Sequence, residues 1–109
     1  MKKGASPQQQ IYIDYAYQIS QSEDFVFTLE AENGLWSHDR VSILPGANGY
    51  RDYGFCQISL YYHPKIVKDP RFNDPYWQLD QCWKLFKGGT KFYGKANIPK
   101  AKQNFIVTK

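Results

Sequence analysis

The stretch SEDFVFTLEAENG, Ser22–Gly34, decides how the chain folds. Ser22 and the acids behind it offer an N-terminal cap, so a helix is expected over FVFTLEAEN. Phe25, Val26, Leu29 and Asn33 trace one face of that helix, and Gly34 is placed to end it. Glu32 then falls in the last turn, just ahead of Gly34 and Trp36. The C-terminus of a helix carries partial negative charge, which disfavours an added carboxylate. Apolar neighbours disfavour ionisation as well, by desolvation. Both effects raise the pKa of Glu32 toward that of a general acid. Glu30 lies on roughly the opposite side of the helix and reads as an ordinary exposed carboxylate.

Outward from this helix, residues 1–10 are polar, with Gly4 and Pro7, and read as a flexible lead-in. IYIDYAYQIS follows, with Ile11, Tyr15 and Ile19 at helical spacing and Tyr17 nearby; its alternation also suits a strand. Leu35–Arg51 is loop-like, and Asn48-Gly49 marks a tight turn in which a short hairpin can form. DYGFCQISLYYH opens on Asp52 and is expected to begin a short helix. PKIVKDPRFNDP is a proline-punctuated connector. YWQLDQCWKLFKGG is the clearest helix, with Leu79, Cys82, Trp83 and Phe86 on one face and Gly88-Gly89 as its stop. The tail KFYGKANIPKAKQNFIVTK is less regular. The expectation is a small, mainly α single domain over residues 11–109, with one turn-rich excursion after the Glu32 helix.

The bulk numbers agree with one domain: 109 residues, 42% hydrophobic and 22% charged. Aromatic residues reach 17%, enough to fill a core and leave rings for stacking on a flat ligand. The formal net charge of +4 favours anionic partners. Basic residues concentrate after Lys84 but form no tight cluster, so nucleic acid is not an expected partner. No apolar run is long enough to span a membrane. The basic start MKKGASPQQQ lacks the apolar segment of a secretory signal. Two cysteines, Cys56 and Cys82, can pair; two buried free thiols is the plainer reading. With two histidines far apart, they give no zinc spacing and no metal is expected.

About twenty residues beyond Glu32 comes YGFCQIS, Tyr53–Ser59. Gly54 permits close backbone approach to a ligand, and Gln57 offers a donor and an acceptor suited to sugar hydroxyls and amides. Taken alone, the stretch reads as a turn entering an amphipathic helix. Together, AENG followed by SILPGANGYRDYGFCQIS resembles the lysozyme-like fold of soluble lytic transglycosylases. Glu32-Asn33-Gly34 stands at their Glu-Ser-Gly motif, and Gly54-Phe55-Cys56-Gln57 at their Gly-Leu-Met-Gln. Ser42 falls where an intervening Ser does. The third motif, Ala-Tyr-Asn, has KFYGKAN as its only candidate, with Tyr93 as the matching aromatic. Asp52 before Tyr53-Gly54 also resembles the second carboxylate of c-type lysozymes, whose dense disulfide framework is absent. The resemblance spans about Ile11 to Gly94.

The resemblance implies an α+β, lysozyme-like catalytic domain. Its implied reaction is cleavage of the β-1,4 bond between N-acetylmuramic acid and N-acetylglucosamine in peptidoglycan. Glu32 is then the general acid and base, and 1,6-anhydro ends are the product. Ser42, Tyr53, Gly54, Gln57 and Tyr93 become substrate-binding residues, and no cofactor is needed. Trp36, Tyr50 and Tyr53 can stack on sugar faces, with a core role for Trp36 the alternative. His38 and Asp39 read as solvated loop residues, and His63 as a capping or packing residue. Partners are glycan strands of the wall, with no nucleic acid, no membrane span and a monomeric chain. The implied location is extracytoplasmic, with a phage-associated origin as a variant. Oxidised, Cys56 and Cys82 would tie the Gln57 segment to the Leu79 helix. The alternatives are a hydrolase using Glu32 with Asp52, and a glycan-binding domain without catalysis.

Overall fold

In a computed structural model, residues 1–46 and 48–105 are described. The last four residues of the tail read as irregular, 106–109, lie outside them. The described chain is mainly helical. Its elements run α1 (Pro7–Ser20), α2 (Glu23–Glu32), β1 (Asp52–Tyr53), β2 (Ile58–Ser59), α3 (Pro64–Val67), a 3₁₀ turn (Pro70–Asn73), α4 (Pro75–Lys87), a second 3₁₀ turn (Tyr93–Asn97) and α5 (Ile98–Lys102).

The helix starts follow local chemistry. Ser6 and Gln9 form a reciprocal capping box at 3.1 and 2.8 Å, so α1 begins at Pro7, inside the stretch read as a lead-in. That stretch is also tied down. Lys2 bridges Phe105, and the Lys3 amide donates to the Asn104 carbonyl at 2.8 Å. Ser22 accepts from the Phe25 amide at 3.1 Å and starts α2, as its sequence indicates. Asp74 accepts from the Tyr76 and Trp77 amides and starts α4.

Helix α2 is buried on every side from Phe25 to Glu30, rather than on a single face. It lies between α1 on one flank and the Tyr93–Lys102 segment on the other. Phe25 meets Trp83 and Phe86, and Phe27 meets Phe105. Only a helix with neighbours all round can bury such a surface. On α1 the fully buried residues are Ile13 and Ala16; of the face read from Ile11, Tyr15 and Ile19, Tyr15 and Ile19 pack against the core, while Ile11 and neighbouring Tyr17 are exposed. Asn33, not Gly34, caps the end of α2, and the left-handed backbone falls on Trp36 (φ 49°).

The segment from Asp52 departs from the expected helix. It is a two-stranded antiparallel hairpin, with Asp52 opposite Ser59 and Tyr53 opposite Ile58. Gly54 (φ 82°) and Gln57 (φ 53°) both sit in the left-handed region, which turns the chain and forbids a helix there. Val41 adds a bridge to Tyr53, which closes the preceding loop around Gly46–Tyr50.

Two side chains of α4 hold this hairpin. Cys82 is joined to Cys56 in a disulfide, with Cα atoms 6.0 Å apart, so the free-thiol reading is replaced. One turn earlier, fully buried Gln78 accepts from the Phe55 amide at 2.6 Å. Its amide nitrogen donates to the His38 and Phe72 carbonyls at 2.9 and 3.0 Å. A Cβ on Gly54 would lie 2.2 Å from the Gln78 oxygen. Gly54→Ala therefore meets both an unfavourable φ and a clash with a side chain fixed by three hydrogen bonds. The substitution is expected to cost about 2–4 kcal/mol in urea unfolding; a loss under about 0.5 kcal/mol would mean that Gln78 yields freely.

Candidate functional site

Glu32 ends α2 at the base of a cleft of about 630 Å³. One wall combines the hairpin residues Asp52, Gln57, Ile58 and Ser59 with Tyr62 and His63 just beyond β2. The facing wall is Leu85 at the end of α4 and the chain from Thr90 to Tyr93. The cleft thus combines two carboxylates, several hydroxyl and amide groups, and aromatic rings. Sites that bind small molecules are built this way, with a few polar groups on apolar walls.

The Glu32 carboxylate has one directional partner, since its Oε1 accepts from the Gly94 amide at 2.9 Å. Burial pushes its pKa from 4.5 up to about 7, against the lowering effect of that hydrogen bond. The negative charge of Asp52 raises it further. Desolvation wins because a single amide donor does not replace the water that a carboxylate loses. Burial also raises the pKa of Asp52.

Of the residues the sequence singles out, Glu32, Asp52, Gln57 and Tyr93 meet in this cleft. Gln57 donates its Nε2 to the Gly54 carbonyl at 2.9 Å, which leaves Oε1 as the group it can offer a ligand. Tyr93 is exposed at the rim. Three expected binding residues do not line the cleft. Ser42 lies behind the hairpin, where its hydroxyl accepts from the Asp52 amide at 3.0 Å. Tyr53 packs against the core, and buried Gly54 serves the turn and its contact with Gln78. These residues set the backbone around Asp52 and Gln57.

Other expectations change too. Trp36 is 2% exposed, and its indole N–H donates to Glu30 at 2.8 Å, so it cannot stack on a ligand. Tyr50 is exposed beside Tyr61, away from the cleft lining. His63 lines the cleft and makes no side-chain cap on α3. His38 is half-buried near Phe55 and gives its carbonyl to Gln78. Asp39 is exposed, and the Ser37 hydroxyl holds its carboxyl below the usual range.

Glu30 is buried, not an exposed helix-end acid. Lys2 pairs with it at 2.9 Å, and Asn104 donates to its other oxygen at 2.9 Å. Lys2 also reaches the Gly34 carbonyl. Asn33, at 1% exposure, donates to the Ser37 and Gly54 carbonyls at 2.7 and 3.1 Å. It links the end of α2 directly to the hairpin turn. A polar residue on the apolar side of a predicted helix was the available sign of that role. Among the described residues, no group of three or more His, Cys, Asp or Glu is placed to hold a metal ion.

Comparison of the chain with protein-family models, with curated proteins and with solved structures finds no match in any of the three.

The Glu32 shift has a consequence for stability. Its folded pKa lies above its unfolded value, so the folded state binds the extra proton between about pH 4.5 and 7. Stability is therefore full below the unfolded pKa and falls as pH rises through about 7. Glu32→Gln removes this loss. The variant is expected to match wild type at pH 4 and to exceed it by on the order of 1–3 kcal/mol at pH 8. Urea midpoints at the two pH values check this, and a difference independent of pH would contradict the burial argument.

Proposed function

We propose that the cleft cleaves peptidoglycan, with Glu32 as the general acid and base of a lytic transglycosylase. The observation that carries this reading is a carboxyl group, Glu32, whose pKa burial raises to about 7, in a cleft lined by aromatic and hydroxyl groups. A groove that only bound glycan would need no such acid. The resemblance of Glu32-Asn33-Gly34 and Gly54–Gln57 to the transglycosylase motifs supports the same reading. A disulfide between Cys56 and Cys82 fits an extracytoplasmic protein.

In this mechanism Glu32 donates its proton to the glycosidic oxygen as the bond to the leaving sugar breaks. The substrate's own 2-acetamido group carries the developing positive charge, so no carboxylate nucleophile is required. Glu32, now ionised, takes the proton from the C6 hydroxyl of the muramic acid residue. That oxygen closes the 1,6-anhydro ring. The Gly94 amide holds one Glu32 oxygen throughout and favours the ionised form in the second half of the cycle. Gln57 Oε1 accepts from a sugar hydroxyl or amide, and Tyr93 supports the ring at the rim.

A second reading is favoured by one observation: Asp52 faces the same cleft, and its charge acts on Glu32. In a retaining hydrolase Asp52 would be the nucleophile or the electrostatic partner, with carboxyl groups roughly 5–5.5 Å apart.

Mass spectrometry of fragments released from purified peptidoglycan separates the two. Anhydro ends, one water lighter, are expected; ordinary reducing ends would assign hydrolysis. Glu32→Gln should lower turnover by about 10² or more, and Asp52→Asn by much less. Equal losses from the two changes would transfer the assignment to the hydrolase, and full activity of Glu32→Gln would end both. The kcat/KM profile should fall as pH rises past about 7, where Glu32 loses its proton.

A further inference from the structure

Ile43 and Leu44 are the most exposed of the large apolar residues described, at 85% and 78%. Single exposed aliphatic residues are ordinary, but a contiguous apolar face is not. This one is contiguous. The Val41 bridge to Tyr53 and the Ser42 amide, which donates to the Asp52 carbonyl at 2.9 Å, lay the segment alongside the hairpin. There Tyr50, Tyr61 and Tyr62, all exposed, form a row with ring centroids 5.4 and 4.9 Å apart. Arg51 joins the two parts, donating to the Ser42 carbonyl at 2.6 Å and to the Ile43 carbonyl. Of the aliphatic pair and the tyrosine row, only Tyr62 lines the cleft.

Three features select the partner. The first is the order of the side chains: two aliphatic residues, then a row of tyrosines, then cations. Tyrosine concentrates where an apolar layer meets water, because its ring is apolar and its hydroxyl is not. The second is the backbone. A loop that enters an apolar layer must have its polar groups satisfied from within. The Ser42 and Ile43 carbonyls are held by Arg51, the Gly46 amide donates to the Tyr50 carbonyl at 2.8 Å, and Pro45 has no N–H to leave unpaired. The third is charge. Between Arg40 and Lys68 the chain carries four cations, Arg40, Arg51, Lys65 and Lys68, against one acid, Asp52, which faces the cleft. The surface that these features fit is broad, anionic at its boundary and apolar beneath it.

We propose that this face docks on an anionic lipid bilayer, with Ile43 and Leu44 entering the boundary between headgroups and acyl chains and Arg51 and Lys65 among the headgroups. Tyr62 belongs to both the face and the cleft, so docking turns that wall of the cleft toward the bilayer. The proposal is independent of the chemistry assigned to Glu32.

The test is co-sedimentation of the full chain with vesicles of phosphatidylcholine, with and without phosphatidylglycerol. Binding about tenfold tighter to the anionic vesicles is expected, weakening as salt rises. Ile43→Ser combined with Leu44→Ser removes apolar surface that is exposed in the free protein, so the fold is retained, as circular dichroism checks; affinity should fall at least about tenfold. Lys65→Gln should lower it about threefold to fivefold, and Glu32→Gln should bind as wild type does. Leu44→Trp locates the contact: its emission should shift to the blue on vesicle addition and be quenched by brominated acyl chains. Absence of vesicle binding would overturn the proposal, as would binding that the Ile43 and Leu44 changes leave intact, since that is adsorption by charge elsewhere on the surface. Dimerisation in the ultracentrifuge that the double serine variant abolishes, without vesicle binding, would assign the face to a second copy of the chain instead.

Discussion

The cleft depends on how closely the Tyr93–Asn97 turn can approach α2. A Cβ on Gly94 would lie 2.4 Å from the Thr28 carbonyl oxygen and 3.0 Å from Glu32 Cγ. Only a residue without a side chain fits there. The approach has two electrostatic effects of opposite sign on Glu32. It excludes water, which raises the pKa, and it brings the Gly94 amide to 2.9 Å, which lowers it. The first is larger, so the carboxyl group titrates near pH 7 rather than near 4.5, yet keeps a fixed donor for its charged form. The same contact places Tyr93 at the rim of both the cleft and a smaller polar pocket beside it.

The opposite wall is held differently. Strands of two residues have little stability of their own. Here the turn between them is fastened to α4 twice, by the Gln78 hydrogen bond to the Phe55 amide and by the Cys56–Cys82 disulfide. Gln78 and Cys82 are four apart and lie on one face of the helix. Asn33 adds a third tie, from the end of α2 to the Gly54 carbonyl. Asp52 and Gln57 flank this fastened turn, so their positions relative to Glu32 are set by the ties to α4 and to the end of α2 rather than by the hairpin alone.

The sequence made the helices legible wherever a cap and a period coincide. Ser22 with the Phe25–Leu29 run and Asp74 with the Leu79–Phe86 run are such cases. The hairpin was hidden because its turn is made by left-handed Gly54 and Gln57, and Gln57 carries no local sign of that backbone. Glu32, Asp52, Gln57 and Tyr93 were legible as a group through motif spacing. Ser42, Tyr53 and Gly54 were legible as important but not in role, because their contacts are with backbone and core. The burial of Glu30 was not legible. Its partners Lys2 and Asn104 lie at the two ends of the described chain, and no local pattern announces a pairing across that distance.

Charge is divided along the chain in a way that suits the proposed chemistry of an acid acting on an anionic polymer. All ten Asp and Glu residues lie at or before Asp80, whereas half of the fourteen Lys and Arg follow it. The basic half builds one wall of the cleft and most of the adjoining pocket. A lysine close to Glu32 would pull its pKa down and strip the proton that the proposed chemistry requires. Lys91 lines the cleft but is not among the groups that shift Glu32, and two other lysines nearby are held against aromatic rings. Lys95 lies over Phe86 and donates to the Thr90 carbonyl at 2.9 Å, and Lys87 lies over Trp83. The groups that shift Glu32 are its burial, the Gly94 amide and Asp52, with no lysine among them. At physiological salt an exposed charge is largely screened beyond about 8 Å. The basic wall can therefore attract an anionic polymer to the cleft without disturbing the acid at its base.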